Sequence, residues 1–303
     1  MKRGAVIGIV IGTVVVAAGA GIAAWALTRP PAPSDVALTY LRALESGDAD
    51  AALAQTAADD QAAAQARTAF SDAAARPTEP RLGETREDAV AATVEVTYAL
   101  DGTDVAATLT LHQKEGGWRI SDGLGTVSPT TTLGAAVAIG DLIVPTGGDP
   151  VRLLPARYDV AAAPTEVLTG STTVDVAPGA DVPAAVEASL SPDATAAVQA
   201  QVDAYAQACA QPATAVPANC GLKIPWGADL STLASLDFRI EKTPQVTLSA
   251  DATSFDATGG AMVATARGTS RTGGNGAFTY RADDWALRGS VSFDGAQLVL
   301  AVR

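Results

Sequence analysis

Few side chains in this chain could carry out catalysis. His112 is the only histidine among the 303 residues, so zinc sites built on histidine and Ser–His–Asp triads lack their usual components. On a polar strand face beside Thr108 and Thr110, His112 could act as a general base in a pocket or could simply be solvated. The sequence positions no second group beside it. We therefore predict no catalytic, cofactor-binding or metal-binding residues, and the sequence favours a non-enzymatic role.

Adjacent carboxylates add little to this picture. Asp283 and Asp284 are neighbours, and neighbouring residues of a strand point to opposite faces of a sheet, so a shared acid–base role is not expected. A glycosidase-type site could still be assembled from two carboxylates that are distant in sequence. A hydrolase therefore stays among the functional hypotheses.

The two cysteines, Cys209 and Cys220, are predicted to form a structural disulfide. A redox or metal-binding pair would need CxxC spacing or partner histidines, and neither is present. In an oxidising compartment, two cysteines without other partners usually pair with each other. Closing a loop of this size stabilises a fold by roughly 3 kcal/mol in the chain-entropy model.

The N-terminal segment predicts a membrane anchor. Residues 4–28 contain no charged side chain, and a helix rising about 1.5 Å per residue over that length can cross a hydrocarbon core about 30 Å thick. Lys2 and Arg3 precede the segment, which favours a cytoplasmic N-terminus. We therefore expect a single-pass protein of the plasma membrane whose C-terminal domains are extracytoplasmic.

Two questions about this segment stay open. It could be a signal peptide cleaved after Ala24-Trp25-Ala26, although the apolar part of signal peptides is only about 7–15 residues long. Gly4, Gly8 and Gly12 share one helix face, where they could let two helices pack closely, or they could reflect the ordinary glycine content of membrane helices.

Charge and composition limit the classes of molecule that this chain could bind. The formal net charge is −13 and no cluster of basic residues occurs, so binding to nucleic acid is excluded. High alanine content, with arginine far above lysine, is typical of GC-rich, actinobacterial genomes. The expected partners are the lipid bilayer, through residues 4–28, and either a second copy of the chain or another envelope protein.

Hydrophobic periodicity predicts helices followed by strands in residues 34–128. Ala37, Tyr40, Leu41 and Leu44 have the spacing of one buried helix stripe. Two further helices are expected at 48–53 and 59–75. The period then changes to two, which predicts strands at 92–100, 105–112 and 118–120.

This pattern resembles the NTF2-like family, a cone-shaped α+β fold. The residues that carry the resemblance are the helix with Tyr-Leu-Arg-Ala-Leu-Glu-Ser-Gly-Asp and the strands that end at Lys-Glu-Gly-Gly-Trp-Arg-Ile. The segment is also similar to the small N-terminal domain of some penicillin-binding proteins, but no Ser-x-x-Lys motif follows. The resemblance implies a curved sheet around helices, often with a pocket, and here the candidate lining residues are Tyr40, Tyr98, His112 and Trp118.

The rest of the chain predicts a β-rich region. One main helix is expected within 183–211, and an antiparallel meander with Gly-rich turns is expected from 236 to 303. The predicted fold class is therefore α+β with three parts. They are residues 1–33 (stub, transmembrane helix and Pro-rich exit), 34–128 (NTF2-like domain) and 129–303 (a β-rich domain that could divide near residue 185).

Three functions fit these features. The favoured one is a membrane-tethered extracytoplasmic binding or scaffold module of the cell envelope without catalytic activity. The second is a small-ligand-binding protein that uses a pocket in residues 34–128. The third is an envelope hydrolase, which would need several carboxylates or His112 to converge in one cleft.

Overall fold

The computed structural model describes residues 31–114 and 116–303. Within them, strands hold 52% of the residues and helices 18%. The predicted fold class, α+β with a transmembrane helix, an NTF2-like cone and a β-rich domain, is therefore wrong, because the described chain is mostly β. The excess of strand comes from residues 125–190, which form nine strands, and from two very long strands near the C-terminus.

No helix among residues 31–114 and 116–303 has both the length and the apolar character needed to cross a membrane. The predicted anchor at residues 4–28, with Gly4, Gly8 and Gly12, lies outside the described residues.

Three helices open the described chain and a fourth follows the middle strands. They are α1 (Pro33–Ser46), α2 (Ala49–Leu53), α3 (Asp60–Ser71) and α4 (Ala194–Cys209). Gly47 ends α1 in a left-handed conformation, which glycine adopts without strain. Asp48 and Asp59 cap α2 and α3, each accepting a hydrogen bond from a backbone N–H three residues later.

The first sheet is antiparallel and covers one side of these helices. Its strands, in spatial order, are β1 (Thr78–Glu87), β2 (Ala91–Leu100), β3 (Thr103–Lys114) and β4 (Gly117–Ile120). The apolar stripe of α1 faces the sheet, and Tyr40, Leu41 and Leu44 are completely buried. Val94 and Leu109 pair across β2 and β3 and complete the same core.

The middle region is a compact set of short strands. These are β5 (Gly125–Thr131), β6 (Ala136–Ile139), β7 (Leu142–Pro145), β8 (Val151–Leu153), β9 (Ala156–Ala163), β10 (Leu168–Thr169), β11 (Ser171–Val176), β12 (Asp181–Val186) and β13 (Ser189–Leu190). They form sheets of order β11-β9-β6-β7, β12-β5-β8 and β10-β13, and β12 runs parallel to β5. The predicted domain boundary at residue 128 therefore falls inside a strand.

Arg157 joins the first sheet and helices to the middle region. Its backbone N–H donates to the carbonyl of Ala75 and its carbonyl accepts from the N–H of Ala74, both at 2.9 Å. Its guanidinium contacts Asp175 at 2.6 Å and also pairs with Asp101 in the turn between β2 and β3. The buried apolar residues of both regions also belong to one continuous hydrophobic core.

The last sheet is built around two long strands. Its strands are β14 (Leu230–Lys242), β15 (Gln245–Leu248), β16 (Ser254–Ser270), β17 (Asn275–Asp294) and β18 (Gln297–Val302). The order is β14-β16-β17-β18, and β15 pairs with the first part of β16. Helix α4 is fixed to this sheet by Gln199, whose side chain bonds the carbonyl of Pro244 and the N–H of Val246, both at 2.9 Å.

Candidate functional site

The structure does not assemble the pocket predicted from Tyr40, Tyr98, His112 and Trp118. Tyr40, Tyr98 and Trp118 are buried in the packed core, and the Tyr40 hydroxyl donates to the carbonyl of Gly123. Burial raises the pKa of the Tyr40 and Tyr98 hydroxyls well above the ordinary value, so both stay protonated at neutral pH.

His112 lies on the opposite side of the sheet from these three residues. Its neighbour Leu111 is completely buried, and successive strand residues point to opposite faces, so the imidazole is exposed to solvent. His112 therefore faces solvent and does not face the predicted pocket.

Concave regions that could admit a ligand occur in the rest of the described chain. The first unit comprises helices α1–α3 and strands β1–β4. The side chains of α1, β2 and β3 fill its interior, and Leu44 and Val94 are fully buried. Five concave regions lie between residues 138 and 303, and three of them adjoin β17. The candidate site is therefore on the last sheet.

A strap of five residues, 221–225, crosses this sheet directly after the second cysteine. Cys209 at the end of α4 and Cys220 lie at disulfide-bonding distance, with their Cα atoms 5.7 Å apart, in agreement with the predicted pairing. The carbonyl of Cys220 accepts a hydrogen bond of 2.7 Å from the indole N–H of Trp285. Gly221 has φ +63° and lies against the carbonyl of Ala286, where a side chain would collide. These contacts fix the start of the strap.

The residues that follow the strap, Gly227 and Asp229, are held by polar contacts. The Tyr280 hydroxyl donates to Asp229 at 2.7 Å, and the Arg271 guanidinium donates to the carbonyl of Gly227 at 2.8 Å. Partial burial, followed by the hydrogen bond and charge of Asp229, raises the pKa of Tyr280 to about 12. The tyrosine is therefore a neutral hydrogen-bond donor at physiological pH.

A cleft of about 310 Å³ lies between the strap and the sheet. Cross-strand pairing places Ala264 between Phe238 and Tyr280, and it places Met262 opposite Ala282. Because the side chain of Ala264 in the central strand is smaller than these neighbours, it leaves a depression in the floor of the cleft. The strap contributes the walls, which include Leu222, Ile224 and Pro225.

Positive charge gathers at one end of the cleft. Lys223 and Arg281 line it, and both also line an adjoining groove of about 490 Å³ that contains Arg288 and Arg303. Arg281 bonds Asp283 at 2.6 Å and also pairs with Glu241; these contacts raise its pKa further.

Two of the four cations in the groove stay available. Arg288 contacts Asp256 at 2.9 Å, but Lys223 and Arg303 make no ion pair within residues 31–114 and 116–303. Asp284 is the carboxylate side chain among the residues that line the groove. The groove can therefore accept negative charge.

The chemistry of this site is that of binding. The lining of the cleft supplies apolar groups, the hydroxyls of Thr279 and Tyr280, and two cations, with no carboxylate, histidine or thiol. In the described part of the chain, no three His, Cys, Asp or Glu residues are grouped so that they could hold a metal ion. The arrangement lacks an acid–base pair and a nucleophile with a neighbouring base.

The sequence predicted none of the residues of the cleft. The useful signal was the alternation Met262, Ala264, Ala266 in one strand and Phe278, Tyr280, Ala282 in the next, because it places small residues beside aromatic ones on one face. The apolar Leu-Lys-Ile-Pro-Trp segment after Cys220 was the second signal, since it had no partner in the predicted elements.

No protein-family model matches this chain, and no curated protein matches it. Among solved structures, one described as an Ntf2 like protein involved in plasmid conjugation matches with 10% sequence identity and a TM-score of 0.13. The match covers 85% of this chain and 86% of that one. At this TM-score it establishes neither a fold nor a function for the present chain.

Proposed function

We propose that this chain is a non-catalytic binding module at the outer face of the plasma membrane, and that it engages its partner through the cleft. The tether in this proposal is residues 4–28, whose length and lack of charge suit a membrane span. The partner in this proposal presents a group that combines an apolar part with a negative charge.

The open cleft beneath the strap is the observation that carries the proposal. A volume of about 310 Å³ lies within the range of small-ligand sites, and the joined groove extends it. Met262 and Ala264 line its floor, and Leu222, Ile224 and Pro225 line its walls, so an apolar group that entered would contact apolar side chains. Lys223 stands where the cleft meets the groove and offers its ammonium to an anion.

The packing of the first unit argues for this location over residues 34–128. A ligand there would have to displace Tyr40, Leu44 or Tyr98, each at most 1% exposed. Displacing such side chains costs several kcal/mol, because close-packed interiors do not open freely. The second hypothesis, a ligand pocket in that unit, therefore receives no support.

The test is a titration of the full-length chain, in lipid nanodiscs, with 4-phenylbutyrate. This probe has an apolar ring and a carboxylate and is soluble in water. The four tryptophans are replaced with 5-fluorotryptophan and followed by 19F NMR. Trp226 and Tyr280 pack against the same three buried residues, Leu230, Leu236 and Ala266, so Trp226 reports on the cleft. We expect its resonance to shift with saturation, while that of Trp118 in the first unit stays fixed.

A matched pair of variants locates the binding. Ala264→Leu fills the cleft and should weaken the probe about tenfold. Ala277→Leu adds the same side chain at an exposed position that strand alternation places on the other face, and it should leave binding unchanged. A shift of Trp226 that is equal in both variants, or no shift at all, would remove the cleft as the binding site.

A further inference from the structure

A second cavity, separate from the cleft, lies on the middle region where the turn between β17 and β18 meets it. Its volume is about 300 Å³. Ala138 of β6 and Ala163 of β9 are buried beside it, and Ala296 of the β17–β18 turn packs against the same alanine cluster. Ile143, which pairs with Ala138 across the β6–β7 hairpin, also lines the cavity and is 42% exposed. The cavity therefore presents apolar side chains from several segments of the chain.

A carboxylate lies at each end of this cavity. Asp141 belongs to the two-residue turn that joins β6 to β7, and Glu166 belongs to the turn that follows β9. Pairing of Ala136 with Ala163 places the turn after β9 beside the start of β6, whereas Asp141 lies beyond the end of β6. From the start of β6 to the first residue of the β6–β7 turn the strand advances roughly 13 Å, at about 3.3 Å per residue. The two carboxylates therefore line the cavity from opposite ends.

Both turns are held in place by hydrogen bonds. The carboxylate of Asp72, directly after α3, accepts the backbone N–H of Asp141 at 3.2 Å. In the other turn, the carbonyl of Glu166 accepts the hydroxyl of Ser191 at 3.0 Å. Asp141 and Glu166 are therefore presented from fixed backbone positions, and Asp72 adds negative charge beside the first of them.

No cation neutralises either carboxylate in the part of the chain that the structure describes. Asp141 and Glu166 take part in none of the ion pairs there, and no lysine or arginine is among the residues that line the cavity. The cleft on the last sheet has the opposite lining, with two cations and no carboxylate. An apolar cavity with negative charge at both ends is complementary to a ligand that has an apolar middle and two positive ends.

We propose that this cavity binds a small aliphatic diamine, with its methylene chain against the alanines and Ile143, one ammonium group at Asp141 and the other at Glu166. Each ammonium donates charge-assisted hydrogen bonds to a carboxylate, and the methylene chain is removed from water. A five-carbon diamine, together with the two carboxylate side chains, spans the distance between the turns. A monoamine would leave one carboxylate without a partner. This site is independent of the cleft and of the function proposed for it.

The test is isothermal titration calorimetry of the full-length chain with 1,5-diaminopentane, in nanodiscs of phosphatidylcholine, a zwitterionic lipid that does not attract the diamine. Pentylamine has the same chain and a single ammonium, so it should bind about fivefold more weakly. Hydrogen–deuterium exchange in the presence of the diamine should slow in 139–143 and 164–168 and stay unchanged in β2 and β3.

A matched pair of variants tests the role of the charge. Glu166→Gln should weaken 1,5-diaminopentane about fivefold, to the affinity that pentylamine has for the unmodified chain, because one of the two ionic contacts is lost. Glu87→Gln removes the same charge at an exposed position of β1 and should change nothing.

A third variant tests the apolar contact. Ile143→Ser should weaken both amines about threefold, since the methylene chain loses an apolar neighbour. Because Ile143 is partly exposed, this variant is expected to keep the fold, and unchanged hydrogen exchange in β2 and β3 checks that it does.

Four results would overturn the inference. They are no binding of 1,5-diaminopentane, equal affinity for pentylamine, slowed exchange only outside 139–143 and 164–168, or equal losses in Glu166→Gln and Glu87→Gln, which would assign the binding to the overall negative charge. The phenylbutyrate titration followed at Trp226 is a separate measurement. Failure of the diamine therefore leaves the proposal for the cleft standing, and failure of phenylbutyrate leaves this one standing.

Discussion

The last sheet of this chain leaves a cleft beside its strap, whereas large side chains fill the interior against the first sheet. In the first unit, large residues meet from every side, among them Tyr40, Leu44 and Tyr98, and each is at most 1% exposed. In the last sheet, the central strand places Ala264 between Phe238 and Tyr280, and a strap rather than a long helix lies over it. The size of a few side chains on the inner face therefore decides whether the interior of such a unit is filled or leaves a cleft.

The edges of the two sheets differ in the same way. Strand β1 has bulges, a proline and five charged residues, namely Glu79, Arg81, Glu84, Arg86 and Glu87. Strand β17 starts with six residues that carry no charge. Charged residues, prolines and bulges usually protect the edge strands of soluble sheets, so the two edges differ in this respect at 275–280.

The largest expected effect tests the difference in packing. Leu44→Ala in the filled unit should lower the free energy of unfolding by about 3 kcal/mol, because it leaves a cavity in a close-packed core. Leu222→Ala on the wall of the cleft should cost about 1 kcal/mol or less, since that side chain is only partly buried. Urea unfolding of both variants measures the two values. Equal losses would mean that the strap is packed as tightly as the core.

The second effect concerns the disulfide at the start of the strap. Replacing both Cys209 and Cys220 with serine should destabilise the last sheet by roughly 3 kcal/mol, because the unfolded chain regains the freedom of the closed loop. The 19F resonance of Trp226 should broaden, while that of Trp118 in the first unit is unaffected. If phenylbutyrate binds the double variant and the unmodified chain equally well, the disulfide is not needed to hold the cleft open.

Local periodicity predicted the three helices and three of the four strands of the first unit, and it missed β1. The stripe of Ala37, Tyr40, Leu41 and Leu44 is buried as expected in α1, and the alternating strands at 92–100 and 105–112 lie within β2 and β3. The cysteine pair also followed from spacing and composition. These features depend on neighbours in sequence, which is why the sequence alone reveals them.

Features that depend on distant pairing were missed. Residues 128–132 resemble a linker because Pro129 and the threonines give no apolar alternation, yet Gly125, Val127 and Pro129 face inward in β5. The partner that stabilises β5 is the parallel strand β12, more than fifty residues away. The floor of the cleft likewise depends on the register of Ala264 with Tyr280, which no local pattern specifies.

The smallest expected effects concern two ion pairs. One is Arg157–Asp175, where the first unit meets the middle region, and the other is Arg281–Asp283 on β17. The Arg157 side chain is 25% exposed and that of Asp175 is 50% exposed, and the hydrogen bond from Arg157 lowers the pKa of Asp175 below the ordinary value of 3.8. The pair therefore contributes stability above the ordinary carboxyl pKa and loses it as the pH falls through the lowered one. Asp175→Asn should cost about 0.5–1 kcal/mol at pH 7 and progressively less in acid, as measured by urea unfolding from pH 7 to pH 3.

The matched variant at the edge is Asp283→Asn, which removes a carboxylate from Arg281. Both of those side chains are at least half exposed, and the arginine keeps Glu241 as a partner, so the loss should be close to zero. If Asp283→Asn lowers the free energy of unfolding as much as Asp175→Asn does, the bulged part of β17 is held as firmly as the contact between the first unit and the middle region.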